Sequence, residues 1–338
     1  NPDLVKTLFL RADAHFVLGE TGAIEPDILV SNETADRFRR TLDTVASRPE
    51  TPAQPLPYPT EQPNPDAQQR YQSAVAEAVT RMKRGEFRKV VLSRTKTVLF
   101  DEIPDVVQLV EQLGVAYPNA FISAVWLPDV DQIWISATPE RLVSTDAQGI
   151  FRTVSLAGTQ SAIGADGHRK AVSEAVWTHK EIEEQALVSR YIIDCFKKIR
   201  LREYVEEGPK TVVAGNLMHL RTDFSVDTQA VNFPQLGTVM LRLLHPTSAV
   251  CGMPRDAALT FIQHHETHNR EFYSGFLGPI NIDRESALFV QLRCLKLEGQ
   301  TATLYAGAGL TEESVPAREW LETELKCGTL LNVLQSIS

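Results

Sequence analysis

The sequence predicts an α+β fold carried by large antiparallel sheets. Strand-like and helix-like stretches come in blocks and not in strict alternation, which argues against a doubly wound parallel sheet. The strand stretches are rich in β-branched and aromatic residues and are separated by turns carrying Pro, Asp and Gly. At 338 residues the chain can bury a sizeable core, and it is read as one domain spanning 1–338.

The elements follow in order. Residues 1 to about 50 read as strands and a helix. Residues 48–66, "RPETPAQPLPYPTEQPNPD", hold too many prolines for helix or sheet and read as a surface segment. "AQQRYQSAVAEAVTRMKRGEF" places Tyr71, Ala74, Val75, Ala78 and Val79 at helical spacing, with Gly85 as a stop. "KVVLSR" is a buried strand headed by Lys89 and closed by Arg94. From about 119 to 156 the pattern is that of an antiparallel meander. A long helix is expected over "RKAVSEAVWTHKEIEEQALVSRYIIDCFKKI", then strands over "TVVAGNLMHLRTDFSVD". "FPQLGTVMLRLL" and "PRDAALTFIQHHE" read as helices, the second with Pro254 in its first turn. "YSGFLGPINI", "ALFVQLRCLKLEG" and "TATLYAGAGL" read as three strands, and "PAREWLETELKCGTLLNVLQSI" as a terminal helix.

Composition narrows the function classes. A chain with 43% hydrophobic and 23% charged residues has the make-up of a soluble globular protein. Its net charge of −9 speaks against a nucleic-acid surface, so an anionic ligand would need locally concentrated positive charge. Cys195, Cys251, Cys294 and Cys327 are scattered without a CxxC pair, as free thiols of a reducing cytoplasm would be. No apolar run reaches 18 residues, so no membrane span is expected.

Several residues invite a chemical reading. On the terminal helix Glu319, Glu322 and Lys326 share a face. The bland explanation is a solvated i, i+4 ion pair; the functional one is a pair of carboxylates aimed at a hard cation. "HKEIEEQALV" offers Lys180, Glu181 and Glu184 likewise, with Glu184 next to the apolar side. Inward carboxylates from two helices would make an oxygen-ligand Mg²⁺ site. "HHETH", 264–268, lacks the HExxH spacing of a zinc motif. "YAGAGL" lacks the third glycine of a dinucleotide loop and reads as a strand that something approaches closely. Glu140 follows a proline at a strand end, and His219 sits in an apolar strand; each alone has an ordinary structural explanation.

Taken in order, "KVVLSR", "SATPERL", "LAGT", "KEIEEQALV", "HLRT", "LHPTSAVCGMPRDAA", "REFYSGFLG", "LRC", "YAGAGL" and "EWLETELK" resemble the motifs of the chorismate-utilising enzymes from about residue 65 onward. That family includes isochorismate synthase, salicylate synthase, anthranilate synthase component I and aminodeoxychorismate synthase component I. The resemblance implies one large α/β domain of two stacked, mostly antiparallel sheets flanked by helices, with the site in a cleft between layers. It implies Lys89 as base and Glu140 as acid, and Mg²⁺ held by Glu184 and Glu322 with Glu181 and Glu319 close by. Arg293, Lys326 and backbone near Gly307 would grip a carboxylate of chorismate, with Thr159, His219, Ala249 and Tyr305 also at the substrate.

Within the family the sequence is most similar to isochorismate synthase. Lys89 stands where anthranilate synthases usually have glutamine. Ala157 stands where some aminodeoxychorismate synthases carry a covalent lysine, and Ala249 where salicylate synthases tend to have threonine. Salicylate synthase is the alternative, with anthranilate synthase component I behind it. Both the menaquinone and the catecholate siderophore branches fit the resemblance. Two departures are Gln185, where relatives often have histidine, and Asn269, where aspartate is frequent. A cytoplasmic monomer is expected, with no nucleic-acid or membrane partner.

Overall fold

The computed structural model describes residues 58–335 apart from 165–166 and 215–216, together with 8, 10, 14–18, 24–28, 36, 37 and 40. The chain divides into two compact units, Asn1–Gln54 and Pro55–Ser338, with the break inside the proline-rich run. In the first, β1 (Ala14–Leu18) and β2 (Ile24–Ile28) pair antiparallel and residues 36, 37 and 40 are helical; the rest of that unit's predicted elements lie outside the described residues.

The second unit holds two seven-stranded sheets, antiparallel throughout. In the first, the order is β11 (Gly252–Met253), β4 (Lys89–Phe100), β16 (Thr301–Leu310), β15 (Cys294–Glu298), β6 (Gln132–Thr138), β5 (Phe121–Leu127), with β3 (Pro59–Glu61) paired to β4. In the second it is β12 (Phe276–Leu277), β14 (Glu285–Val290), β7 (Arg141–Thr145), β8 (Ile150–Ser161), β10 (Leu217–Asp227), β9 (Val205–Ala214), with β13 (Ile280–Ile282) on β14. Among the described residues no helix is long and apolar enough to cross a membrane.

Helices cover the sheets with apolar stripes at helical spacing. On the first sheet, α1 (Ala67–Lys83) packs Val75 and Ala78 against Val90, Leu92 and Ala308. α2 (Val106–Ala116) and the C-terminal α6 (Pro316–Gln335) bury Leu109, Leu113, Cys327 and Leu330 against Phe100, Ile135 and Leu304. On the second sheet, α3 (His179–Lys198) and α4 (Leu236–Leu244) set Ile192, Phe196 and Met240 on Phe151, Phe224 and Val226. α5 (Arg255–His265) adds Phe261 beside Phe87, with Pro254 as its N-cap residue. The sheets touch where Phe121 of β5 stacks on Phe289 of β14, ring centroids 4.2 Å apart.

Four expectations need correction. The meander over 119–156 is two hairpins in different sheets: β5 pairs β6 and β7 pairs β8, and the chain changes sheet at Pro139–Glu140. "ALFVQLRCLKLEG" is likewise two strands, β14 and β15, with the change at Gln291–Arg293. Pro139 and Glu140 mark a turn at the first break, and Gln291 and Arg293 interrupt the apolar run at the second, but a turn signal does not say that the chain leaves one sheet for the other. The long helix begins not near 169 but at His179, where the Glu181 carboxylate accepts from the Thr178 N–H at 2.7 Å and fixes the first turn. Within the proline-rich segment, Pro59–Glu61 forms an edge strand, a placement open to proline as a strand's first residue.

Candidate active site

Strand β4 sets the site. Lys89, Val91 and Ser93 alternate with Val90, Leu92 and Arg94, so each set takes one face of the sheet. Val90 and Leu92 enter the core under α1. Lys89 points the other way and is 1% exposed. Its Nζ donates to Glu184 Oε1 of α3 at 2.8 Å. Two glycines on β16 make the room: a Cβ on Gly309 would lie 3.0 Å from Glu184 Oε1 and 3.3 Å from Lys89 Cε, and one on Gly307 only 2.7 Å from the Tyr273 hydroxyl. "YAGAGL" is thus a strand approached closely by the site's own side chains.

The residue at the other end of the motif, Arg94, has a different task. Its Nε donates to Thr323 Oγ1 at 2.6 Å, its Nη2 to Glu324, and its guanidinium lies 3.8 Å from the centre of the Trp320 ring. One strand therefore delivers Lys89 to the pocket and fastens α6 beside it. "HHETH" fastens β4 in turn. Glu266 accepts from the Ser93 N–H and hydroxyl and pairs with Arg270, which donates to the carbonyls of Val91 and Val250. Asn269 uses its side-chain oxygen to accept from the Glu271 N–H.

The two sheet changes supply two more groups. Glu140 follows Pro139 at the passage from β6 to β7. Burial raises its carboxyl to about 7, and the charges of Lys89, Arg293 and Lys326 oppose part of that rise. Arg293 sits at the return passage with φ of 47°, the left-handed region that costs a side-chain-bearing residue energy and recurs at functional sites. Its Nη1 donates to Thr329 Oγ1 of α6 at 3.2 Å.

From the second sheet, Leu156, Ala157 and Gly158 of β8 and His219 of β10 reach the same cavity. His219 is 4% exposed, and burial depresses its ring to about 4, helped by Arg293 and Lys326. It is neutral near pH 7. Because Nδ1 meets the Gly158 carbonyl at 2.9 Å, Nδ1 carries the proton and Nε2 is an acceptor. The helices close the cavity. Lys326 Nζ of α6 donates to the Gly307 carbonyl at 2.7 Å and to Glu322 Oε1 at 2.6 Å. The α3 helix is held to its sheet by Gln185, buried, whose Nε2 donates to Thr222 Oγ1 at 2.9 Å and Ser155 O at 3.3 Å.

The cavity, 220 Å³, gathers Lys89, Glu140, Glu181, Glu184, His219, Ala249, Arg293, Tyr305, Gly307, Glu322 and Lys326, all expected from the sequence. Glu319, also expected, is buried at 2% exposure but is not among the lining residues. The backbone of Thr159 runs in β8 and its side chain lies outside the described residues. Tyr273 was missed: it lines the cavity and stacks on Tyr305 at 5.5 Å. Its only sequence signal was an aromatic amid the turn residues of "REFYSGFLG".

Glu181, Glu184 and Glu322 offer oxygen to one pocket from two helices, the donor type of a hard divalent cation. Among the described residues, however, no three His, Cys, Asp or Glu are grouped so as to hold one ion. Glu184 is engaged by Lys89, Glu322 by Lys326, and Glu181 Oε2 accepts from the Thr178 N–H at 2.7 Å. The donors match in kind, and their lysine partners would have to yield.

A family model described as chorismate binding enzyme matches residues 8–335, so the chain belongs to that family. It is 29% identical over 310 residues to isochorismate synthase EntC of Escherichia coli (strain K12), covering 91% of this chain and 78% of that protein. Among solved structures it is similar to MenF, the menaquinone-specific isochorismate synthase from Escherichia coli, with TM-score 0.74 and 26% identity over 90% of this chain and 69% of that one. It is also similar to a 2,3-dihydroxybenzoate-specific isochorismate synthase, DhbC, described as putative, from Bacillus anthracis, with TM-score 0.73 and 28% identity over 85% of this chain and 76% of that one.

Proposed function

We propose that this chorismate-binding enzyme converts chorismate to isochorismate. In that reaction water adds at C2, the ring double bonds shift, and the C4 hydroxyl leaves as water. One proton must be taken from the attacking water and one given to the leaving oxygen. The observation that carries the reading is a buried lysine and a carboxyl poised near neutrality in one cavity. Lys89 is the base and Glu140 the acid. A carboxyl raised to about 7 retains a proton to give at neutral pH. Base action needs an unprotonated Nζ, so turnover requires Lys89 to leave Glu184.

Chorismate is a dianion. Arg293 and Lys326 supply the cations for its carboxylates, Arg293 with a planar fork suited to them. Neutral His219 accepts a substrate hydroxyl through Nε2. Mg²⁺ is part of the proposal. Glu184 and Glu322 would hold it, with Glu181 and Glu319 nearby, and it would supply positive charge to a substrate carboxylate. Lys89 Nζ becomes available to the water only once its hydrogen bond to Glu184 Oε1 is given up.

The test is a product assay with chorismate and Mg²⁺, without ammonia, read by NMR. Isochorismate alone, lost on adding EDTA and in Lys89→Ala, is the expected result. Salicylate with pyruvate would assign the sister reaction. Anthranilate appearing only with ammonium would overturn Lys89 as a water-activating base.

A further inference from the structure

The face of the second sheet that presents Leu156 and His219 to the catalytic cavity continues along the same strands to a second cavity of 230 Å³. By strand alternation Arg152 shares a face with Leu156, and Arg221 with Asp223 and Ser225. Arg141 joins them from β7, and all three arginines line this cavity together with the carboxylates of Asp223 and Glu207, the latter 3.9 Å from Lys210 Nζ. Arg152 lies four residues along β8 from Leu156, about 13 Å at the usual strand rise.

Two of these guanidiniums are matched by carboxylates. Arg152 pairs with Asp146 at 2.5 Å. Arg221 grips Asp223 through Nε and Nη2 at 2.8 and 2.6 Å, and Lys210 meets the other oxygen of Asp223 at 3.0 Å. Arg141 differs. Its Nε is buried without a hydrogen-bond partner, its guanidinium carbon lies 5.9 Å from the centre of the Phe289 ring, and it takes no ion pair among the described residues. Burial and the neighbouring charges of Arg221 and Arg152 disfavour its cationic form, and the Asp223 carboxylate, already held by Arg221 and Lys210, offsets only part of that. A guanidinium cannot relieve such crowding by losing its proton in practice, so an anion is the natural remedy. Arginine is also the side chain best shaped for carboxylate and phosphate oxygens.

We propose that the cavity lined by Arg141, Arg152 and Arg221 is a second anion site, separate from the catalytic pocket, that takes a small carboxylate or phosphate group with Arg141 as its principal donor. The two sources of that chemistry are the dianionic substrate on its way to the pocket and an independent small anion.

Calorimetric titration with inorganic phosphate and with citrate at low ionic strength tests the site without using catalysis, so its outcome is independent of the proposed reaction. Binding to the unmodified protein is expected, weakened about tenfold or more in Arg141→Gln and retained in Lys326→Ala. Arg152→Gln, at the more exposed rim, serves as second variant should Arg141→Gln fail to fold, and should weaken binding in the same direction. No binding at millimolar anion, equal affinity in the unmodified protein and the arginine variants, or loss in Lys326→Ala in place of the arginine variants would overturn the proposal. Chorismate kinetics then separate the sources. A raised KM at unchanged kcat in Arg141→Gln supports the site as a stop for substrate. Unchanged kinetics beside arginine-dependent phosphate binding support it as a site for an independent anion.

Discussion

Two lysine–glutamate pairs face the same cavity and are built in opposite ways. Lys326–Glu322 lies within one helix, four residues apart, with side chains 19% and 37% exposed. Lys89–Glu184 joins a strand to a helix 95 residues away, with side chains 2% and 20% exposed. The first pair is of the local kind that contributes a few tenths of a kcal/mol on a solvated helix, ~0.3–0.5. The second carries the desolvation of a buried charge and depends on its partner to offset it. The same residue types thus hold a loosely committed ion pair at one wall and a tightly committed one at the other.

The sharpest way to break this contrast is to remove each lysine. Lys89→Ala should lower kcat by about 10²–10⁴ as the base is lost. It should also destabilise the fold by about 1–3 kcal/mol, because Glu184 is left partly buried without its cation. Lys326→Ala should act mainly on KM and cost the fold under about 1 kcal/mol. Steady-state kinetics and denaturant unfolding check both. Equal losses of kcat in the two variants would erase the distinction between base and binding residue.

Glu140 reads both pairs at once, since Lys89 and Lys326 each oppose its rise, Lys89 more strongly. Lys89→Ala should therefore move the Glu140 titration higher than Lys326→Ala does, measured by ¹³C NMR of the carboxyl. Turnover should fall as pH rises through about 7, and Glu140→Gln should lose about 10²–10⁴ in kcat together with that limb of the profile.

Stability should show opposite pH signs at two neighbouring groups. The Glu140 pKa is raised in the fold, so its contribution is full below the unfolded value of 4.5 and lost as pH rises through about 7. Glu140→Gln should thus stabilise at pH 8, by up to about 3 kcal/mol, and change little at pH 4. The His219 pKa is depressed, so its contribution is full above 6.5 and lost as pH falls through about 4. His219→Gln should lessen the loss of stability on acidification below pH 6. Urea unfolding of the two variants across pH 4–8 measures both, and matching slopes would contradict the assigned burial.

The contrast between the pairs also marks what sequence could convey. Glu322 and Lys326 announce themselves by helical spacing, and Val90, Val91 and Leu92 by a short apolar run rich in β-branched valine. The contact of Lys89 with Glu184 depends on how α3 docks, which no local pattern encodes; only the ordered motifs and their family resemblance brought those residues together. The positions of Glu140 and Arg293 at the two sheet changes were illegible for a related reason. Pro139 signals a turn and Arg293 interrupts an apolar run, but only tertiary pairing decides that β6 and β7, or β14 and β15, belong to different sheets. Tyr273 was lost among turn residues, since its role comes from stacking on Tyr305, 32 residues further along the chain.

The smallest effect tests what holds the Glu184 wall. α6 is fastened by Arg94 through Thr323, Glu324 and Trp320, whereas α3 is fastened to its sheet by Gln185 through Thr222 and Ser155. Gln185→Ala removes two buried hydrogen bonds and leaves Ser155 O and Thr222 Oγ1 without that donor, so unfolding should cost about 1–2 kcal/mol less. Because α3 carries Glu184, the same change should let that wall of the cavity shift, misplace Lys89 relative to the substrate and lower kcat, while the Lys326–Glu322 wall stays in place and KM moves little. Gln185→His, whose ring can also donate to Thr222, should recover most of both losses. A kcat unaffected by Gln185→Ala at full folding would mean that the Lys89–Glu184 contact holds α3 in register by itself, making the tighter pair the anchor and not the anchored.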